Sequence, residues 1–378
     1  MLPLDRVLAF DPAHDKEFFL ALPPEPAVCL IEARDPAGEP FFIRTQDLRR
    51  RLERLLGVSD SGSKRLNLRD FAKSIRYRLT ASRFEQSLVY YQQARQLFPN
   101  RYQNLLRLRP PNVLKVNLRN AYPRCYATRR MPVDANGEPS GGVYYGPFAS
   151  RKSAEGFAER VLDLFKVRRC QIKIRRDPSF PGCIYSEMKM CLAPCFAGCS
   201  KEEYDREVER LVAFFETGGT SLEESLSAER DCASRELDFE KAALLHKKLD
   251  KLAEALRGQP ELPRRVQDLN AVIFQRGGEE RSIAVYEVRC GRIADPFLLS
   301  FATLAGEPRS AEQLLREQLE SHSPSLASDL GEHLWLLARW FYSNPRQGEI
   351  FFRDDAWPYR KMMRGCARLL APPGGEPV

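Results

Sequence analysis

Long apolar runs are missing from this sequence of 378 residues. No stretch approaches the ~18–20 consecutive apolar residues that a membrane-spanning helix needs. The first residues, MLPLDRVLAFDPAHDKEFF, carry acidic side chains early and lack the layout of a signal peptide. The sequence therefore predicts neither a membrane protein nor a secreted protein, and we expect a cytoplasmic location.

Histidine is scarce as well, with four in the chain, and no pattern of His, Asp and Glu offers an open catalytic metal position. Cysteine is not scarce, because the chain has ten. A cytosolic chain of this size has enough apolar residues for more than one core and does not need disulfides. Half of the cysteines fall within residues 170–199, and this clustering requires another explanation.

The charge is unevenly spread along the chain, whose formal net charge is +8. Residues 101–176 contain 17 Lys or Arg against 5 Asp or Glu, which gives this block a net charge of +12. Residues 201–260 contain 10 Lys or Arg against 15 Asp or Glu, a net charge of −5. The first block is basic enough to attract a polyanion such as DNA, although solvated arginine-rich faces would give the same composition.

Hydrophobic periodicity predicts an α+β protein with several domains. Residues 25–57 have the pattern of strand, turn, strand and helix, and residues 66–98 have a mainly helical pattern. Strand patterns return at 112–148 and 265–303, while 202–257 is helical, with a hairpin that turns near Leu237 and Asp238. Residues 311–341 are helical again, and the tail APPGGEPV is typical of disorder. The predicted domains are 20–105, 106–200, 201–258 and 265–378.

The cysteine cluster has the spacing Cys170-x12-Cys183-x7-Cys191-x3-Cys195, and Cys199 follows after three more residues. Thiolates are soft ligands, so four of them in a loop-rich stretch suit an iron–sulfur cluster or zinc. Without CxxC pairs the spacing does not choose between these metals. The alternative is a set of buried or idle thiols.

The runs YYGPFASRKSAEGFAERVLDLFKVRRC and CIYSEMKMCLAPCFAGCSKEEY resemble the UvrC family of the excinuclease ABC system. The matching positions are Gly146, Pro147, Cys170, Cys183, Cys191, Ala193, Pro194, Cys195 and Tyr204. The resemblance implies a role in nucleotide excision repair. It also implies that Cys170, Cys183, Cys191 and Cys195 hold an iron–sulfur cluster, with zinc as the alternative.

The same resemblance implies a GIY-YIG nuclease domain at residues 20–105. That chemistry uses two tyrosines, an arginine on the phosphate and a glutamate that holds a divalent metal. Cys29 and Phe42 stand at the tyrosine positions and Tyr90 at the glutamate position, whereas Arg51 is retained. We therefore expect an inactive site. DNA binding through Arg44, Arg49, Arg50, Arg51 and Arg54 is a further expectation, with a solvated helix face as the alternative.

The segment ASRELDFEKAALLHKKLDKL is similar to the UVR motif, through which UvrC proteins pair with a helicase partner. The resemblance implies a partner-binding surface at Phe239, Ala242, Ala243 and Leu249. His246 and Lys247 depart from the Arg-Asp pair usual in the family, which puts the choice of partner in doubt. An ordinary helical hairpin packed within the chain is the competing interpretation.

Residues 266–303 resemble the opening of the second half of UvrC proteins, but an acidic ribonuclease-H-like site and helix-hairpin-helix clamps are not found in the sequence. Asp354 and Asp355 could imitate a metal site with His333, although loop solvation is favoured. Two other functions stay open. One is an active endonuclease that uses magnesium or a similar ion, with Glu85 replacing the missing glutamate. The other is a regulatory protein that binds the helicase partner and never contacts DNA.

Overall fold

The structure of the chain is a computed structural model that describes residues 2–58, 65–258, 261–302, 309–321 and 329–371. The predicted disordered tail lies outside these residues, apart from Ala371. Within these residues the chain is a mixed α and β protein with three sheets, as the sequence predicts. No helix in these ranges is long and apolar enough to cross a membrane.

An antiparallel sheet and four helices form the N-terminal domain. In chain order the elements are β1 (Arg6–Ala9), α1 (Asp15–Ala21), β2 (Ala27–Ala33), β3 (Phe41–Thr45), α2 (Leu48–Leu56), β4 (Ala72–Leu79), α3 (Arg83–Leu97) and α4 (Tyr102–Leu106), with a short 3-10 turn at Pro12–His14. The strand order is β1-β4-β2-β3. The two central strands, β4 and β2, therefore each have a partner on both sides.

Strand β4 corrects the mainly helical prediction for residues 66–98. Ala72, Ile75 and Tyr77 are buried in the core on one side of the sheet, whereas Lys73 is exposed. The side chains of Ile75 and Tyr77 alternate with the arginines at 76 and 78, which is the period of a strand. The helix begins only at Arg83, where the Ser82 hydroxyl accepts a hydrogen bond from the Glu85 backbone N–H.

The middle domain holds the cysteine-rich segment and the helical hairpin. Its elements are β5 (Asn112–Val116), β6 (Cys125–Thr128), β7 (Val143–Phe148), α5 (Arg151–Leu162), α6 (Ile184–Glu187), α7 (Lys201–Glu216), α8 (Thr220–Arg235), α9 (Phe239–Leu256) and β8 (Arg264–Arg265), with a 3-10 turn at Pro194–Phe196. The sheet order is β6-β5-β7-β8. One hydrophobic core joins this sheet to α5, α7 and the base of the hairpin.

The C-terminal domain has a five-stranded sheet between two layers of helices. Its elements are β9 (Ala271–Arg276), β10 (Ser282–Arg289), β11 (Arg292–Ile293), β12 (Phe297–Ser300), α10 (Ala311–Ser321), α11 (Leu330–Phe341), β13 (Glu349–Phe352) and α12 (Tyr359–Leu370), after a 3-10 turn at Val266–Asp268. Val272, Phe274 and Phe351 pack on the side of α10 and α12. Ala271, Ile273 and other residues pack on the side of α11.

The core on the α11 side continues into the N-terminal domain. It includes Leu334 and Leu337 of α11 together with Leu88 and Val89 of α3. Leu334, Leu337 and Trp340 of α11 are buried in this core, and Phe341 packs against it. Helix α11 therefore docks the C-terminal domain onto the N-terminal domain.

Candidate functional site

The two degenerate tyrosine positions, Cys29 and Phe42, face opposite sides of the N-terminal sheet. Cys29 pairs with Ile43 across β2 and β3, and both side chains lie in the core with α1 and α2. Phe42 pairs with Leu30, and both face the core with α3. Phe41, and not Phe42, shares the face of Cys29. The two side chains therefore lie in different cores, because side chains along a strand alternate between faces.

The side chains of Cys29 and Phe42 both have apolar surroundings. Cys29 is fully buried, and this burial raises the pKa of its thiol well above the usual range. The Phe42 ring stacks on the Tyr90 ring, with 4.6 Å between ring centroids and 3° between ring planes. Burial also raises the pKa of Tyr90. Phe42 and Tyr90 thus meet as a packing pair, without a carboxylate at the predicted glutamate position.

The five arginines predicted to bind DNA have different environments. Arg49 donates hydrogen bonds from Nε and Nη2 to the carbonyl oxygens of Leu22 (2.7 Å) and Leu20 (3.3 Å), so it holds α2 against α1. Arg44 lies over the Tyr90 ring at 5.3 Å from its centroid. The remaining arginines of the set, 50, 51 and 54, form no ion pair with a carboxylate of the described residues.

Glu85, the carboxylate that could replace the missing glutamate, is engaged at the start of α3. Its Oε2 accepts a hydrogen bond from the Ala81 backbone N–H at 2.8 Å, and Arg78 Nε lies 3.8 Å from Oε1. Burial raises the pKa of Glu85, while these two groups oppose the shift. Both carboxylate oxygens of Glu85 therefore contact groups close to the start of α3.

Arg168 and Tyr204 anchor the cysteine-rich segment to the middle domain. The Tyr204 hydroxyl donates to the Pro123 carbonyl at 2.7 Å and accepts from the Arg168 backbone N–H at 3.1 Å. The Arg168 guanidinium donates to the carbonyl oxygens of Tyr122, Cys170 and Ile172 at 2.8–3.1 Å. These two buried side chains fix the start of the segment against β6 and α7.

Backbone hydrogen bonds close the rest of this segment into a loop. The Leu192 N–H donates to the Lys166 carbonyl at 3.0 Å, and the Asp177 N–H donates to the Cys195 carbonyl at 2.9 Å. Ala193 and Ala197 have positive φ angles of 54° and 61°, so the chain turns sharply on both sides of Cys195. The loop therefore brings distant cysteines toward one another.

The four predicted ligand cysteines influence one another electrostatically. Burial, opposed by a hydrogen bond from the Ala193 N–H and assisted by Cys170, Cys195 and Cys183, raises the pKa of Cys191 to about 11. A cation would relieve this repulsion, so the donor chemistry suits a metal. However, within the residues that the structure describes, no three His, Cys, Asp or Glu side chains are placed to hold a metal ion. The described thiols therefore do not form a closed ligand set.

The helical hairpin turns at residues 236–238, as predicted, and presents apolar side chains at its tip. Leu237, Phe239 and Leu244 are 71%, 67% and 62% exposed. Ala243 is exposed, whereas Ala242 and Leu249 pack against the middle-domain core. Of the four residues predicted to bind a partner, Phe239 and Ala243 are therefore exposed, whereas Ala242 and Leu249 contact the chain itself.

The comparisons with known proteins centre on the middle domain. Residues 112–214 match the sequence model of the UvrC/Cho excinuclease middle domain. UvrABC system protein C of Dehalococcoides mccartyi strain BAV1 is 30% identical over 180 residues, 48% of this chain and 28% of that protein. The same-named protein of Syntrophomonas wolfei is 29% identical over 273 residues, 68% of this chain and 43% of that protein. This chain is therefore similar to UvrC proteins over about half of its length.

The matches leave most of the relatives' length uncovered. The UvrC-like protein spans less than half of these relatives, including the Moorella thermoacetica protein, which is 27% identical over 246 residues and covered to 39%. No solved structure matches the chain. The middle-domain match includes all four predicted ligand cysteines, whereas the hairpin tip lies outside it.

His333 and Asp354, which could have imitated a C-terminal metal site, have different surroundings in the structure. His333 is buried, and its Nδ1 accepts a hydrogen bond from the Ile293 backbone N–H at 2.8 Å. Asp354 is exposed and pairs with Arg264 at 3.2 Å. These side chains serve packing and surface pairing, in agreement with the favoured loop-solvation interpretation.

Proposed function

We propose that this UvrC-like protein acts in nucleotide excision repair in the cytoplasm, where it binds DNA and a helicase-type partner without cutting DNA at its N-terminal site. The main support for an inactive N-terminal site is the environment of Cys29 and Phe42. Both side chains are buried in apolar cores on opposite faces of one sheet. Neither can handle a proton as a tyrosine hydroxyl does, and no carboxylate stands at the Tyr90 position to hold a divalent ion.

The basic block supports the DNA part of the proposal. Arg119, Arg129 and Arg130 are exposed beside the middle sheet. Arg124 lies over the Tyr126 ring at 4.2 Å from its centroid, and Lys115 lies over the Tyr144 ring at 5.0 Å. Exposed guanidinium groups next to aromatic faces suit contacts with a phosphate backbone. Because the relatives are named as proteins of the UvrABC system, we take DNA as the polyanion that the basic block binds.

One experiment tests both parts of this function. The protein is incubated with labelled duplex DNA and with supercoiled plasmid, in magnesium or manganese and in EDTA. We expect binding that weakens steeply as salt rises, because counterions are released from the phosphates, and no metal-dependent nicking. Nicking that needs the divalent ion and disappears in Arg51→Ala would overturn the inactive site. Absence of binding even at low salt would remove DNA from the function.

An active endonuclease is the second candidate, and the retained Arg51 favours it. In that case Glu85 would have to leave the Ala81 N–H and the neighbourhood of Arg78 to bind magnesium. Glu85→Gln would then abolish nicking. In the inactive protein that we propose, the same variant changes only the stability of the start of α3.

We propose further that Cys170, Cys183, Cys191 and Cys195 hold an iron–sulfur cluster, or zinc, with a structural role. Their mutual electrostatic influence and the loop that gathers them support this assignment. We expect an anaerobic preparation to be brown, with visible absorbance that is lost in Cys191→Ser, whereas Cys232→Ser, at an exposed and isolated cysteine, keeps it. Colourless protein with stoichiometric zinc would select zinc, and protein free of both would contradict the proposal.

For the helicase-type partner we propose the hairpin tip as the binding surface. Three large apolar side chains exposed within eight residues are unusual on a free surface and suit a groove on another protein. Buried apolar anchors commonly contribute ~2 kcal/mol or more each to binding, so Phe239→Ser with Leu244→Ser should weaken binding ~100-fold or more. The measurement is calorimetric titration with a purified helicase of an excinuclease system.

The matched control for the tip is Ala253→Ser, at an exposed position near the other end of α9. It adds a hydroxyl without removing an apolar anchor, so its affinity should equal that of the unaltered protein. Equal affinities for the tip variant and this control would show that the partner binds elsewhere.

A further inference from the structure

A groove between the N-terminal and C-terminal domains is lined by arginines from both. Its volume is about 410 Å³. One wall comes from the end of β3 and the start of α3, and the other comes from α11 and the turn that follows it. The lining residues that carry charge are Arg44, Arg83 and Arg339. All three side chains are exposed, so a ligand can reach them from solvent.

Within the part of the chain that the structure describes, no carboxylate neutralises these three guanidinium groups. No Asp or Glu lines the groove, and none of the three arginines forms an ion pair with a carboxylate of the described residues. Elsewhere on this chain arginines are often paired, as Arg69 is with Asp15 at 2.7 Å. Arg44 and Arg339 also repel one another, and burial followed by this repulsion lowers the pKa of Arg44. The groove therefore holds unbalanced positive charge.

Aromatic contacts hold the arginines in place without neutralising them. Arg44 lies over the Tyr90 ring, and Arg339 lies over the Trp335 ring at 5.3 Å from its centroid. Just beyond the groove, Arg346 lies over the Phe341 ring at 4.6 Å. Such contacts limit the freedom of a guanidinium while its N–H donors stay available, so less entropy is lost when an anion binds.

The other lining groups are of the types that contact a nucleic-acid backbone, although the hydroxyls of Thr45, Ser87 and Ser343 donate to backbone carbonyl oxygens in this structure. Besides arginine, phosphate contacts come from Ser, Thr, Asn and Gln side chains. The hydroxyl and amide residues of the groove are Thr45, Gln46, Gln86, Ser87, Ser343, Asn344 and Gln347. The floor is fixed, because the Gln86 amide donates to the carbonyl oxygens of Ala27 at 3.2 Å and Thr45 at 2.7 Å.

We propose that this interdomain groove is a binding site for the phosphodiester backbone of a nucleic acid, contacted by Arg44, Arg83 and Arg339 together. This inference rests on the proposed function only for the choice of DNA as the polyanion. The three arginines are suited to phosphate groups in general. Because the arginines come from both domains, the bound strand crosses their junction. Arg83 and Arg339 thereby join a predicted DNA-binding set whose members lie on β3 and α2.

The test compares two double variants of the full chain. Arg83→Gln with Arg339→Gln removes two charges from the groove. Arg360→Gln with Arg364→Gln removes two charges from exposed positions of α12, on the opposite side of the C-terminal sheet. Binding of a labelled oligonucleotide, single-stranded and duplex, is followed by fluorescence anisotropy from about 50 to about 300 mM salt, the range over which phosphate contacts weaken most clearly. Inorganic tripolyphosphate serves as a competitor in parallel titrations.

We expect the groove variant to bind the oligonucleotide about tenfold or more weakly at low salt. The slope of log Kd against log salt should fall by about 1.8 for duplex DNA, since two phosphate contacts are lost. The α12 variant should match the unaltered protein in both respects. Equal behaviour of the two variants, with binding by the unaltered protein intact, would overturn the groove while leaving the proposed function standing.

Two further outcomes would contradict the groove as a nucleic-acid site. If the unaltered protein binds no oligonucleotide at any salt, both the groove and the DNA part of the proposed function are wrong. If tripolyphosphate binds in an Arg83-dependent way while the oligonucleotide does not, the groove is a site for small phosphates and the nucleic-acid assignment is overturned.

Discussion

Replacement of Glu332 by alanine should lower the free energy of unfolding by ~3–5 kcal/mol, because a buried carboxylate network loses its centre. Glu332 lies at the start of α11 and is buried against the N-terminal domain. Its Oε2 accepts from the Tyr91 hydroxyl at 2.6 Å, and its Oε1 accepts from the Tyr102 hydroxyl at 2.6 Å. Gln103 Nε2 donates to Oε1 at 3.3 Å, and Arg95 lies 3.9 Å from Oε2.

The size of this effect follows from what remains after the carboxylate is removed. Hydrogen bonds to a charged group contribute ~1.5–3 kcal/mol each, and the two tyrosine hydroxyls would stay at the domain junction without their acceptor. The pKa of Tyr91 is raised by burial and then by its hydrogen bond to Glu332, which shows how closely the two groups interact. The variant therefore loses stability and leaves polar groups unpaired.

Urea unfolding followed by circular dichroism measures the effect. The control is Glu317→Ala, which removes an exposed carboxylate of α10 that pairs with Arg309. Exposed pairs contribute ~0–1 kcal/mol, so the control should stay close to the unaltered protein. Glu332→Gln keeps the size of the side chain and one acceptor oxygen, and its loss should lie between the two. A loss below ~1 kcal/mol in Glu332→Ala would show that the network does not hold the junction.

The same helix links the junction to the groove. Glu332 is in the first turn of α11, whereas Arg339 and Trp340 are in its last turn. If Glu332 docks α11 onto α3, it also positions Arg339 opposite Arg83 and Arg44. At a temperature where Glu332→Ala remains folded, its affinity for an oligonucleotide should therefore fall as well, although the residue does not line the groove.

Local patterns in the sequence predicted the elements well where their period was regular. The hairpin turn near Leu237 and the helical patterns at 202–257 and 311–341 depend on contacts between near neighbours in the chain. Strand β4 was missed because its apolar residues alternate with arginines and lysine, and the apolar run of α3 dominated the segment. The 2-residue period of Ile75 and Tyr77 was the signal that could have revealed it.

The candidate sites were harder to predict, because they join distant segments. Tyr91 and Glu332 are 241 residues apart, and Arg83 and Arg339 belong to different domains. Their spacing in the sequence therefore does not indicate that they are neighbours in the structure. The surroundings of Phe42 were unpredictable for another reason. Motif alignment places residues by type, whereas the register of β2 and β3 decides which of them share a face. The cysteine cluster stays a prediction, and it could be made from the sequence because its four members lie close together there, between residues 170 and 195.

Acid should destabilise the protein through His333, the neighbour of Glu332 in α11. His333 is buried beside the edge of the Tyr91 ring, with 5.5 Å between ring centroids. Its Nδ1 accepts the Ile293 N–H, so the ring is neutral in the folded protein. Burial lowers its pKa to about 4, helped by Arg95 and Arg292 and opposed by Asp329 and Asp295.

The direction of the pH dependence follows from the lowered pKa. An unfolded histidine takes up a proton near pH ~6.5, whereas the folded one does so only near its pKa of about 4. Between these values the unfolded state binds more protons, so the free energy of unfolding falls as the pH falls. At ~1.4 kcal/mol for each pH unit, the loss approaches ~3 kcal/mol once the pH reaches about 4. Above pH ~6.5 this contribution is fully present.

His333→Asn isolates this effect from the carboxylates that titrate in the same range. The asparagine amide oxygen can accept the Ile293 N–H in place of Nδ1, but the side chain takes up no proton. Urea unfolding of both proteins at several values between about pH 7 and about pH 4.5 should show the unaltered protein losing stability faster than the variant. Parallel curves would mean that His333 is protonated in the folded state and that acid leaves the junction intact. Converging curves would identify His333 as the group through which acid weakens the contact between α11 and α3.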